Sequence, residues 1–537
     1  MRKFIILFSL LTGILALSLR AELSAAAGLG IVKTKFGSVW GVSGQDYKTV
    51  TIFKGIPYAA PPVGELRWKP PQDPKPWDGI RVCDTYANAA WMGSYFQEML
   101  AKPGTTYWQF YATGVPPMSE DCLYLNVTTP AVTGNEKLPI MIWFHGGGFS
   151  HGWSYEVEFN PEGLANKGVI VVSVGTRLNI FGFLSLPQLS AESTYKGSGN
   201  YGLMDCSKAV QWVHDNIQGF GGDPDNITVF GQSGGSGKTT GVLISPLSRK
   251  LIKNTINQSA LGAFGKYKTQ KEVETAGVEW LKSKGFSENI SAAELRKIDA
   301  RILIAGDFDP RGGAFSPCID GYTLLENPFD FYLGKGNLEG KNMMFGNVFG
   351  EATPFKATTA KDLYAELKTK YGELFDKYKM NEALQLTDAN AAYYRYALAS
   401  DDSLMNSRIY AEVNAKLNKT CKTFVYTFGH VTPGADWGWH SSELWYTFVS
   451  LRKGIDYQPR WTFFDDLTAE VLSSYWSNYA KKGDPNDYGL SRWPQGGNLG
   501  YMFLDGMSYS KGEPLSPWEK LLREFYIQKN GLEKILQ

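Results

Sequence analysis

Cysteine is scarce in this chain of 537 residues, with five in all, at Cys83, Cys122, Cys206, Cys318 and Cys421. The number is odd and no two have metal-ligand spacing, which argues against a disulfide scaffold or a cysteine-rich metal module. Cys206 and Cys318 read instead as small buried hydrophobes. An excess of charge of one sign is also missing: 54 Lys and Arg stand against 53 Asp and Glu, for a formal net charge of +1. Nucleic-acid binding and polybasic membrane binding therefore have no support. Internal repeats and low-complexity linkers are absent as well. Histidine is limited to five, and this scarcity restricts where a general base can stand. Beyond the N-terminus the chain has no apolar run long enough to cross a bilayer.

What is present is the composition of a folded chain with ample material for a large core, 43% hydrophobic and 14% aromatic, with 58 Gly and 26 Pro. Met1-Arg2-Lys3, the apolar run Phe4 to Leu19 and the small residues Ser24 to Ala27 have the three zones of a secretory signal peptide. The expectation is a leader over 1–27, cleaved after Ala21 or Ala27. The mature chain, 28–537, is then exported, periplasmic or secreted, with no stable membrane anchor.

The elements follow a consistent grammar. Gly37 to Gly41 and Val50 to Phe53 alternate like the strands of a hairpin, and Ser119 to Val127 alternates as a further strand. Leu138 to Phe144 and Val169 to Val174 are apolar runs of buried-strand length. Asp205 to Ile217 carries apolar residues at helical spacing. Asn342 to Gly346 and Thr423 to Phe428 read as later strands of the same sheet, with helical segments near 270–300 and 360–415 between them. Leu467 to Lys482 reads as an amphipathic helix over the C-terminal side. The fold class expected is α/β, a large central mostly parallel sheet with helices on both faces.

The chain is organised around Asn226 to Thr239. Ile227 to Phe230 is β-rich, Gly231-Gln232-Ser233-Gly234-Gly235 follows, and Lys238 to Leu243 has helical character. Two chemistries use a strand, a sharp glycine turn and a helix. In Gly-x-Ser-x-Gly, flanking glycines allow a bend tight enough to expose the Ser233 hydroxyl at a helix N-terminus. In a phosphate loop, a glycine five positions before Gly237 would be needed ahead of Gly237-Lys238-Thr239, and that position is Gln232. The elbow fits at every fixed position.

A serine hydroxyl needs a base, normally a histidine held by a carboxylate. In the order Ser, acid, His, each at the end of a later strand, the acid falls at Glu351 in Gly346 to Ala352. Only His430 and His440 come after the elbow, and spacing alone does not choose between them. His145-Gly-Gly-Gly-Phe149 follows a buried strand directly. Successive glycines there let backbone N–H groups approach a developing oxyanion, with Gly147, Gly148 and Gly234 as the donors.

These motifs together resemble one family, the type-B carboxylesterase and cholinesterase family of α/β-hydrolases, with bacterial para-nitrobenzyl-esterase-like members nearest in look. The resemblance rests on Gly55 to Trp68, Glu120 to Asn126, His145 to Phe149, Gly199 to Asp205, Phe220 to Pro224 and Phe230 to Gly235. It continues through Ile319 to Gly321, Gly346 to Ala352, Gly438 to Phe448 and Gly483 to Asn486. It implies one catalytic domain and a small-molecule ester substrate, with no metal or organic cofactor. Ser233 becomes the nucleophile, Glu351 the acid and, through Gly-x-His-x-x-Glu-Leu, His440 the base. The departures are Gln232 where many members have Glu, Gly234 where many have Ala, and Ala352 where Gly is usual. The family's disulfide from the cysteine corresponding to Cys122 finds Cys83 as its one candidate, earlier than expected.

Three other readings stand beside this one: a non-catalytic cholinesterase-like binding protein, a nucleotide-binding enzyme using Lys238, and a lipase with a lid near 92–118. Trp437, Trp439 and Trp445, with the aromatics at 107–111, are candidates to line a pocket for an aromatic or short-chain acyl ester. Activity through His440 is expected to fall on acidification near a pKa of about 6.5.

Overall fold

The computed structural model describes residues 28–93, 115–259, 266–305, 315–435, 437–451 and 459–536. The expected leader and the aromatics at 107–111 lie outside them. The strands that position the site are β1 (Val42–Ser43), β2 (Thr51–Pro57), β3 (Tyr124–Thr129), β4 (Leu138–Phe144), β5 (Ile170–Val174), β6 (Gly222–Gln232), β7 (Asn254–Gln258), β8 (Asn342–Val348), β9 (Lys422–Phe428), β10 (Tyr501–Leu504) and β11 (Tyr509–Lys511). They form one 11-stranded sheet in the order β11-β10-β9-β8-β7-β6-β4-β5-β3-β2-β1. From β5 across to β10 every neighbouring pair is parallel, while the pairs at both edges are antiparallel.

The sheet is covered on both faces, which is why its central strands are apolar at consecutive positions rather than at alternate ones. Ile140, Ile142 and Phe144 of β4 join one core cluster with α1 (Tyr201–Asn216) and α2 (Gly234–Ile244). Met141 and Trp143, turned the other way, join Phe230, Ile256 and Met344 in a second cluster. That cluster is capped by Leu472, Tyr475, Trp476 and Tyr479 of a later helix, Phe463–Lys482. A third cluster fills the space between the 30-residue α3 (Asp388–Leu417) and the C-terminal Pro517–Asn530 helix, through Met405, Ile409, Val413, Leu521 and Leu522. The large, mostly parallel sheet expected from sequence is present, and the segments read as later strands belong to it as β8 and β9, which the structure makes parallel neighbours.

Three expectations are adjusted. The hairpin partner of Thr51–Pro57 is Val42–Ser43; Ser38–Trp40 instead joins Val32–Lys33 and Ile80–Val82 in a separate three-stranded sheet. The chain switches sheets at Gly41, where a Cβ would stand 2.7 Å from the Ile52 carbonyl oxygen. The strand read at Ser119 to Val127 begins only at Tyr124. The Phe463–Lys482 helix, labelled α4 below, lies against the face of the sheet, where Tyr479 Oη donates to the Thr255 carbonyl at 3.2 Å. Buried pairs tie the helical layer to the sheet: Arg177, just after β5, holds Asp205 of α1 through Nε at 2.8 Å and Nη2 at 2.7 Å. Among the described residues no helix is long and apolar enough to cross a membrane.

Candidate active site

In a parallel sheet, successive strands end on one edge, so residues distant in sequence meet there. Four adjacent strands, β6, β7, β8 and β9, run out to Ser233, Ser259, Glu351 and the loop carrying His440.

Ser233 stands between β6 and α2 with φ 56° and ψ −120°, a backbone conformation that a non-glycine residue rarely holds. It is kept there by its neighbours. Its N–H donates to the Gln258 carbonyl of β7 at 3.0 Å, and its carbonyl accepts from Gly237 N–H at 3.2 Å. The turn admits no side chains beside the serine: a Cβ on Gly231 would meet the Gly235 carbonyl oxygen at 2.4 Å, and one on Gly235 the Phe144 carbonyl oxygen at 1.9 Å. The elbow glycines are thus required by close contact, since neither Gly231 nor Gly235 has a positive φ.

Gly147 and Gly148 have φ of 82° and 64°, the left-handed region. A Cβ on Gly147 would lie 2.2 Å from the His151 carbonyl oxygen. The loop is folded down on the elbow helix, so closely that a Cβ on Gly234 would stand 1.8 Å from the Gly148 carbonyl oxygen. The departure at position 234 from the family's usual alanine therefore matches the path of this loop.

His440 Nδ1 lies 3.0 Å from Glu351 Oε2. The side chain of His440 is 38% exposed, and that of Glu351 6%. Burial pulls the imidazole pKa down, but the hydrogen bond and charge of Glu351, with the charge of Glu443, outweigh it and hold it above its ordinary value. His430 is engaged elsewhere: its Nε2 is 2.8 Å from Asp465 Oδ1 at the start of α4. Of the two histidines left open by spacing, His440 is the one beside Glu351.

Among the described residues Ser233 Oγ makes no hydrogen bond to His440. The ring's neighbour is Gln232, whose Nε2 is 3.4 Å from Nδ1 and 3.3 Å from Nε2. An atom at both distances in the ring plane would overlap Cε1, so the amide stands over the imidazole face. Catalytic hydrogen bonds are often long before substrate binds, so the missing contact does not remove Ser233 from the constellation.

Two residues here escaped the sequence reading. Ser259 (φ 53°) donates through Oγ to Glu351 Oε2 at 2.6 Å. Nothing distinguishes it in sequence except its place just after a strand. Glu443, fully buried, accepts from Gln258 Nε2 at 3.3 Å. Burial first, and then the charge of Glu351, raise its carboxyl to about 7. It was legible only as part of the histidine motif.

The aromatic residues flanking His440 separate by role. Trp445 is core, with Trp143 and Phe448 in the same cluster. Trp437 stacks on Tyr396 of α3 at 5.3 Å and tilts against Tyr393 at 5.7 Å. Lys238 is buried, with its ammonium turned to His145, so this lysine is not offered to a nucleotide phosphate at the surface. Cys83 and Cys122 are both buried free thiols, not a disulfide, and burial pushes the Cys83 thiol up to about 12.

Comparison with known proteins shows the family and the fold. The model of the carboxylesterase family matches residues 29–506. The chain is 34% identical over 498 residues to the fumonisin B1 esterase of Sphingopyxis macrogoltabida, covering 90% of this chain and 87% of that one. It is 29% identical to the para-nitrobenzyl esterase of Bacillus subtilis (strain 168), over 86% and 92% of the two chains. A solved para-nitrobenzyl esterase structure superposes with a TM-score of 0.71 at 26% identity, covering 92% of this chain and 99% of that one. On sequence and fold together, the chain belongs to the carboxylesterase family and is a carboxylic ester hydrolase of type B with the α/β-hydrolase fold.

Proposed function

We propose that the ester is cleaved by acyl transfer through Ser233, with His440 as general base and Glu351 as the carboxylate that orients it. The observation that carries this reading is the 3.0 Å contact of His440 Nδ1 with Glu351 Oε2, on the strand edge where Ser233 is held in a strained turn. That contact puts the imidazole proton on Nδ1 and leaves Nε2 as the acceptor for the serine proton. Ser233 Oγ attacks the ester carbonyl as its proton passes to His440 Nε2. The tetrahedral oxyanion is taken by the N–H groups of Gly147, Gly148 and Gly234, none of which donates a hydrogen bond among the described residues. His440 then returns the proton to the leaving alcohol, and water, activated by the same histidine, releases the acid from the acyl-enzyme.

The substrate proposed is a small aromatic or short-chain acyl ester, supported by the Tyr393, Tyr396 and Trp437 cluster beside the His440 loop. The mature protein is proposed to act outside the cytoplasm, on the strength of its first 27 residues. The experiment is hydrolysis of para-nitrophenyl esters, acetate to decanoate, by the purified protein beside its Ser233→Ala variant. Loss of turnover in the variant, with a burst of para-nitrophenol only in the parent, is expected. Turnover that survives the substitution would overturn the assignment.

A further inference from the structure

We propose that Lys238 is a positioning residue for the reaction, the side chain that fixes the His145 to Gly148 loop to the helix that begins at the nucleophile. The inference rests on the oxyanion reading above and deepens it. Lys238 lies four residues after Gly234 and three after Gly235, so all three occupy one face of α2. That face is the one the glycine loop covers: Gly234 meets the Gly148 carbonyl, and Gly235 meets those of Phe144 and His145. Where the glycines allow approach, the lysine supplies attachment.

Its ammonium, in a side chain only 1% exposed at the residue level, donates to the His145 carbonyl at 3.1 Å and lies 3.3 Å from His145 Nε2. An ammonium has donors only, so Nε2 must be the acceptor and the imidazole proton must be on Nδ1. Nδ1 is 3.0 Å from the Gly146 carbonyl oxygen and donates to it. One cation thus holds two successive carbonyls, at His145 directly and at Gly146 through the ring, immediately before the left-handed pair Gly147 and Gly148. His145 leaves the sheet ladder after Phe144, and among the described residues its buried carbonyl accepts from no donor but Lys238.

The charge states agree with this arrangement. The groups facing the ammonium are His145 and His151 from the loop, Glu156 beyond it and Cys206 of α1. Burial lowers Lys238 to about 8, which leaves it a cation at neutral pH. Burial and then the Lys238 charge hold His145 well below its ordinary value, and His151 at about 3, so both imidazoles stay neutral. No carboxylate lies in salt-bridge contact with Lys238 among the described residues, so the cation is committed to carbonyl and imidazole.

The test compares the parent with Lys238→Met, which keeps the unbranched apolar stem and removes the donors. Para-nitrophenyl butyrate turnover is measured together with inhibition by an aryl trifluoromethyl ketone, whose adduct with Ser233 carries a tetrahedral oxyanion. The expected result is a fall in kcat of about 10- to 100-fold with KM nearly unchanged, and a loss of ketone affinity by a similar factor. Lys238→Gln, which retains an N–H one bond nearer the backbone, should lose less of both and serves if Lys238→Met does not fold. A folded variant with lower melting temperature but unchanged kcat and ketone affinity would overturn the inference and leave the Ser233 reading standing. A parent that is inert on every ester would overturn both.

Discussion

Ser259 Oγ and His440 Nδ1 approach the same oxygen of Glu351, Oε2, at 2.6 and 3.0 Å. Glu351 is therefore held from the end of β7 as well as engaged by the loop after β9, while its other oxygen, Oε1, is buried with no partner among the described residues. A carboxylate fixed by a hydroxyl presents one oxygen to the imidazole in one orientation. Removal of the hydroxyl in Ser259→Ala loses a hydrogen bond to a charged group, worth about 1.5–3 kcal/mol. The expected outcome is a kcat lower by about tenfold or more with KM little changed, checked by steady-state hydrolysis of para-nitrophenyl acetate. Unchanged kcat would mean that the loop alone orients Glu351.

The acid limb of the pH profile should lie above the ordinary histidine value. As the proposed base, His440 would work only when neutral, and the site holds its pKa up. Activity should thus fall on acidification at a pH higher than about 6.5. In Glu443→Gln one of the charges raising His440 is gone, so the limb should move to lower pH. Stability should respond as well. A carboxyl raised from 4.5 to about 7 in the fold contributes stability fully below its unfolded value, and that contribution is lost as pH rises through about 7. The glutamine variant should lack this loss between about pH 4.5 and 7. Chemical denaturation at both ends of the window measures it.

Gly234→Ala tests the fit of loop to helix. A Cβ placed 1.8 Å from the Gly148 carbonyl oxygen must displace that peptide by more than an ångström to reach ordinary contact. The neighbouring donors move with it. Misplacement on this scale costs up to about 100-fold in kcat. The variant should keep its fold, seen by near-UV circular dichroism, and lose turnover.

Asp205→Ala removes one half of a pair in which the side chains of Arg177 and Asp205 are 2% and 0% exposed. The arginine left behind is buried without its counter-charge. A loss of about 3–5 kcal/mol is expected, read as a fall in the denaturation midpoint. A change below about 1 kcal/mol would show that Arg177 finds other acceptors, such as the Lys69 carbonyl that already takes Nη1 at 2.8 Å.

Much of this protein is legible in its sequence because the features concerned are local. The apolar run Leu138–Phe144 reads as a strand covered on both faces, since its length suits a strand better than a helix and it opens directly onto a glycine turn. Gly231 and Gly235 around Ser233 give the elbow, since the bend leaves no volume for side chains. Glu351 and His440 were reachable through strand order and motif. The sequence of Ser38–Trp40 looked like one arm of a hairpin, yet it pairs in another sheet, because alternation specifies a strand and not its partner.

The remainder was decided only in three dimensions. Ser259 and Glu351 are 92 residues apart, and neither residue's neighbours in sequence point to the other. They meet because β7 and β8 are parallel and adjacent and end together. In sequence Lys238 stands only as a candidate phosphate ligand, until the loop after β4 covers its face of α2. The sequence determined that a serine would stand at a sharp turn and that a glycine loop, a glutamate and a histidine would follow strands. Which atoms share an oxygen, and which buried cation holds the loop, depended on strand register and helix packing, which are properties of the whole sheet and not of any single segment.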